Sequence, residues 1–145
     1  MARVHVFIDG FNLYHAIRGV DGGKCRWLNL KTLVERFLEE GDQVERVAYF
    51  TAFARWKPES IPKHKAYIEA LSEAGVETVM GNFQKVTKDC KACGGKDKTH
   101  EEKKTDVHLS VQMLRSAFLD EFDKLVLISG DSDEWRCIKP HFVDC

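Results

Sequence analysis

The sequence predicts an α/β domain: three layers, doubly wound, on a mainly parallel sheet. Three observations carry this. Strand-like and helix-like segments alternate along the chain, which calls for parallel strands joined by helical crossovers and covered on both faces. The outermost strand-like runs, RVHVFI (Arg3 to Ile8) and the four successive apolar residues from Leu125, are short and apolar. Both stop abruptly at aspartate: Asp9-Gly10 after the first, Gly130-Asp131-Ser132-Asp133 after the last.

After Arg3 to Ile8, the segment from Phe11 to Gly19 predicts a first helix with Phe11, Leu13, Tyr14 and Ile17 apolar. Gly22-Gly23 marks a loop. Asn29 is a candidate N-cap for a helix from Leu30 to about Glu40, with Leu30, Leu33, Val34, Phe37 and Leu38 on one stripe and Gly41 as its stop. Val44 to Phe53 is the second strand. Pro58 and Pro62 bracket a turn, and Pro62 suits the first turn of a helix to Ala74, with Tyr67, Ile68 and Leu71 as its buried face. Val76 to Met80 is the third strand, and Asn82 to Val86 a further short extended piece. Lys88 to Lys98, rich in lysine, glycine and cysteine, predicts an exposed loop. Thr105 is expected to N-cap a helix carrying Val107, Val111, Leu114 and Phe118 at helical spacing. Lys124 to Ser129 is the fourth core strand.

With 145 residues there is room for one domain and its core, and too little for two of ordinary size. A net charge of −1 means that any basic footprint for a nucleic acid must be local. No stretch has the length of a membrane span, and the N-terminus lacks the pattern of a secretion signal. Five cysteines, an odd number, then point to a reducing compartment, so a cytoplasmic location is expected.

Function follows from the acids. In open parallel sheets, ligands bind at the carboxyl ends of strands, near the point where strand order reverses. Asp9, Asp131 and Asp133 end strands, and Asp106 opens the helix that leads into the last strand. Singly each has an ordinary explanation: a turn for Asp9 or Asp131, helix-dipole complementation for Asp106. Together, gathered at one rim, they would repel one another unless a hard divalent cation lay between them. Mg²⁺ or Mn²⁺ fits such a set, binding through carboxylates, water and phosphate oxygens. Asn12 can bond a phosphate, a metal water or the Asp9 loop, or simply cap the helix; Ser129 and Ser132 can orient a carboxylate. Neither serine has an adjacent base, which argues against nucleophilic serine chemistry.

Three segments, FIDGFNL, EEKKTDVHL and LVLISGDSD in that order, make the chain similar to NYN domains, specifically the LabA-like branch of the PIN-like nucleases. The resemblance covers residues 3 to 134. It implies a PIN-like fold and Mg²⁺- or Mn²⁺-dependent cleavage of RNA. Under it, Asp9, Asp106, Asp131 and Asp133 match the family's acidic, metal-holding positions, Asn12 its D-G-x-N asparagine, and Glu102 the glutamate of E-K-x-x-D, in a supporting role. The remaining residues, from 135 on, are shorter than the helix and strand that usually follow, and Pro140 limits any helix there. The expectation is a domain over 1–134, truncated after the fourth core strand, with an atypical tail over 135–145. Such a form is expected to bind metal weakly, to pair with another chain, or to be inactive.

Two further features stand apart from the acids. Cys90, Cys93 and His100 offer part of a zinc site, with Cys25 or His108 as guesses for the fourth ligand and plain reduced thiols as the alternative. Arg55, Trp56, Lys57, Lys63, His64 and Lys65 form one basic stretch. Lys85, Lys88, Lys91, Lys96, Lys98, Lys103 and Lys104 form another. Both can track the backbone of single-stranded RNA, with Trp56 as a stacking face. The competing functions are a non-catalytic nucleic-acid-binding or regulatory module and a phosphatase-type domain. The last would need a second aspartate two positions after Asp9, where Phe11 stands.

Overall fold

A computed structural model describes residues 1–130; the side chains of Glu102 and Lys103 fall outside that description, as do residues 131–145. The order of elements is β1 (Ala2–Asp9), α1 (Gly10–Ile17), α2 (Leu30–Glu35), β2 (Asp42–Thr51), α3 (Ile61–Glu73), β3 (Glu77–Met80), β4 (Asn82–Asp89), β5 (Lys96–Lys103), α4 (Thr105–Phe118) and β6 (Lys124–Ile128). Short 3₁₀ segments, Val20–Trp27 and Pro58–Ser60, lie before α2 and α3.

The four core strands pair in parallel in the order β3-β2-β1-β6. From β1 the chain steps to β2 and β3 on one side, then returns through α4 to place β6 on the other side of β1. Strand order therefore reverses between β1 and β6. The central position of β1 explains its composition: Val4 through Asp9 are all buried, because both its faces are covered.

Alternate residues of β1 serve two cores. Val4, Val6 and Ile8 pack with Val47 and Tyr49 of β2, Leu30 and Val34 of α2, and Leu71 of α3. Phe7 faces the other way, with Ala48, Phe50 and the α4 residues Leu109 and Met113. The predicted three-layer arrangement is thus observed, with α4 covering its face.

Several local expectations need correction. α2 ends at Glu35 rather than near Glu40, and Phe37, assigned to its stripe, is 68% exposed. Asn29 does cap α2, accepting the Lys31 and Thr32 amides. Lys104, in a left-handed conformation (φ 73°), precedes α4, so Thr105 is not its cap; Thr105 is a buried first-turn residue. The stretch read as an extended piece followed by a loop is an antiparallel β4–β5 hairpin, its turn confined to residues 90–95. Glycine and lysine there concealed a period-2 ladder. Finally, Val107, Val111, Leu114 and Phe118 do not face the core. The buried side of α4 is Thr105, Leu109, Met113 and Ser116, half a helical turn away, and Phe118 is 91% exposed.

Candidate active site at the carboxyl rim of the sheet

Asp9 is the last residue of β1 and the N-cap of α1, so strand and helix together fix its carboxylate. It accepts the Asn12 backbone N–H at 3.0 Å and the Asn12 Nδ2 amide at 2.6 Å. The same Nδ2 reaches Ser129 Oγ, just past β6, at 3.4 Å. Asn12 is therefore neither a simple cap nor free. It bridges the first and last strands at the point where their order reverses. Gly130 lies against it: a Cβ there would sit 3.4 Å from Asn12 Oδ1. Gly10 allows the turn from β1 into α1 to press on β2, since a Cβ at Gly10 would come within 2.5 Å of the Phe50 carbonyl.

Asp9 is only 5% exposed. Among the described residues, no lysine, arginine or histidine forms an ion pair with it. Amide donors alone are modest compensation for a buried carboxylate.

Asp106 opens α4 and is exposed. Its neighbour Thr105 is pressed against Gly81, where a Cβ would collide with Thr105 Oγ1, and the Gly81 amide donates to the Thr51 carbonyl at the end of β2 (2.7 Å). Asp106 thus stands at the same carboxyl end of the sheet as Asp9. Asp131 and Asp133, expected at the same rim, lie outside the described residues, as does the Glu102 side chain. Among the described residues no three His, Cys, Asp or Glu side chains gather into a metal-holding group. The donors that are described fit a hard cation all the same: carboxylate, amide and hydroxyl oxygens, one carboxylate buried without a cationic partner.

Arg55, Trp56 and Lys57 occupy the turn that follows β2, which puts them on this rim too. Trp56 is 38% exposed, with part of its indole already occupied. One side of its indole is stacked on His100 of β5 (3.9 Å between centroids, 9° between planes), and Phe83 of β4 meets it edge-on at 4.7 Å. Phe83 in turn contacts Phe11, and Phe11 contacts His15. A row of five rings thereby ties the hairpin to α1 beside Asp9. Sequence gave no sign of this row, because its members come from four separate segments. His64 leaves the basic stretch: its Nε2 is 3.1 Å from Thr51 Oγ1, and burial pushes its pKa down, favouring the neutral ring. Lys104 is exposed two residues before Asp106; the Lys103 side chain lies outside the described residues.

Cys90 and Cys93 sit in the hairpin turn, both exposed. His100 is not brought to them. It pairs with Lys85, four ladder steps from the Asp89–Lys96 pair that closes the turn, or roughly 13 Å at strand rise.

Among the described residues no helix is long and apolar enough to cross a membrane. No curated protein and no solved structure matches the chain. The model of the NYN domain matches residues 3–139. That span takes in every strand, the switch point and the bridge from Asn12 to Ser129, and the chain belongs to the NYN domain family, part of the PIN-like nuclease superfamily.

Proposed function

We propose that the chain is a Mg²⁺- or Mn²⁺-dependent ribonuclease of the LabA-like branch, acting on single-stranded RNA in the cytoplasm. One observation carries this: a buried carboxylate, Asp9, held by Asn12 at the switch point of a parallel sheet with no cationic partner among the described residues. Folding tolerates such a charge best where a cation joins it.

Asp9 and Asp106, with Asp131 and Asp133 of the following sequence, are the ligands in this reading. When bound, the ion would neutralise phosphate charge and make a water a readier nucleophile. Asn12 and Ser129 fix the Asp9 carboxylate, so that no reorganisation is needed when substrate arrives. Glu102 supports the Asp106 side of the rim. Arg55 and Lys57 on one flank, and Lys103 and Lys104 on the other, would hold the RNA backbone, a salt-sensitive contribution. The acid-rich centre is thereby reserved for the scissile phosphate.

The experiment is cleavage of end-labelled single-stranded RNA with and without Mn²⁺ or Mg²⁺, beside Asp9→Asn and Asp131→Asn proteins. Metal-dependent products that vanish in both variants support hydrolysis at this rim. RNA retention without products in any metal would replace it by the non-catalytic binding module. Equal products from wild type and variants would mean a contaminating nuclease.

A further inference from the structure

The β4–β5 hairpin carries a feature that RNA cleavage does not use. Its turn, Cys90-Lys91-Ala92-Cys93-Gly94-Gly95, is closed by the Cys90 amide on the Gly95 carbonyl (2.7 Å) and the Gly94 amide on the Cys90 carbonyl (2.8 Å). Gly94 adopts φ 67°, a conformation costly for other residues. These bonds fold the turn back on itself, and Cys90 and Cys93 both stand on it. Two thiols three residues apart are thus presented by one tight turn at an exposed apex.

Zinc bound by cysteine takes four ligands in a tetrahedron, with Zn–S of about 2.3 Å. The apex offers two, and among the described residues no third ligand joins them. Charge points to the source of the others. Residues 88–98 contain four lysines (Lys88, Lys91, Lys96, Lys98) against two aspartates (Asp89, Asp97), so each apex is cationic. Two such apices would repel each other alone. A zinc ion with four thiolates carries a net charge of −2, which the lysines of two apices would offset.

We propose that Cys90 and Cys93 are half of a four-cysteine zinc site completed by the same pair from a second copy, so that zinc joins two hairpin apices into a dimer. Each thiol proton still present is released to solvent on binding. The inference is independent of the nuclease reading, since its readouts are metal content and mass.

The test uses the full chain purified without chelator, analysed for metal and by light scattering after size exclusion. Expected are one zinc per two chains and a dimer. Chelation should give a monomer, with dimer affinity weakened at least 100-fold, and added zinc should restore the dimer. With cobalt in place of zinc, the spectrum should be that of four thiolates in a tetrahedron. C90S and C93S should each be metal-free monomers that melt with the chelated wild type, because both side chains are exposed. A combined Cys25→Ser, Cys137→Ser, His141→Ala, Cys145→Ser protein should keep both zinc and dimer. One zinc per monomer, loss of zinc in the combined variant, a dimer that survives chelation, or no zinc at all would each overturn the proposal.

Discussion

The two ends of the sheet treat their carboxylates in opposite ways. At the amino end, Asp123 takes Arg3 in a two-point contact (2.9 and 3.2 Å), and Asp42 receives Lys124 at 2.9 Å, with Glu39 on the same ammonium. Arg46 clamps Glu77 at 2.8 and 3.1 Å. The cations hold Asp42 below its usual range and Asp123 at about 2. At the carboxyl end, Asp9 is buried, and among the described residues its carboxylate is hydrogen-bonded by the Asn12 backbone and side-chain amides alone. The same residue type thus stands in two settings: ion pairs fasten strand ends where the chain merely turns, while at the opposite rim no described cation pairs with Asp9. In the proposed reading, that missing counter-charge is supplied by an ion or a substrate from outside.

The largest effect that would sharpen the contrast is Asp9→Asn. Cleavage should fall by about 10²–10³-fold, the scale seen when one preorganised electrostatic group is removed. The metal-free protein should melt no lower than wild type, because an uncompensated buried charge has gone. Asp42→Asn should do the reverse, lowering the melting temperature while leaving cleavage intact. An Asp9→Asn protein that loses stability and keeps activity would erase the distinction between the two ends.

Gly10→Ala comes next. The added methyl would meet the Phe50 carbonyl and the Tyr49 ring, at 2.5 and 2.7 Å. Denaturant unfolding should show a loss of about 1–3 kcal/mol, as overpacking typically costs. An unchanged midpoint would show that α1 does not press on β2 as described.

The smallest expected effect is a pH dependence at the amino end. His5 is 5% exposed with its Nδ1 unpartnered, and burial, then Arg46, pushes its pKa down. Its folded pKa therefore lies below the unfolded value of about 6.5. As pH falls from 7 through that value, the unfolded chain takes up a proton that the folded one refuses, so stability declines. His64 adds to the same trend through burial. His5→Phe should flatten the decline between pH 7 and 5.5 without abolishing it. A slope identical to wild type would assign the trend elsewhere.

How far the sequence reached differs by region for physical reasons. Core strands and the Asp9 rim were legible because a parallel sheet buried on both faces leaves uninterrupted apolar runs, and their ends stand out as acids. The hairpin was not, since its strands carry lysine, threonine and glutamine and bury little; cross-strand pairing, not apolar pattern, defines it. α4 misled in another way. It has apolar residues on both sides, and spacing alone could not say that Leu109 and Met113, rather than Val111 and Phe118, meet Phe7 and Phe50. The bridge from Asn12 to Ser129 joins residues 117 positions apart, which no local signal reveals.

The most direct test of the central claim is paramagnetic broadening of amide NMR signals by substoichiometric Mn²⁺ in the RNA-free protein. Signals of Gly10, Asn12, Asp106 and Ser129 should broaden first, with those of Arg3, Asp42 and Asp123 unaffected, and Asp9→Asn should remove the effect. Broadening that begins at the amino end, or that survives Asp9→Asn unchanged, would contradict the claim that the switch-point rim is where the protein holds its metal.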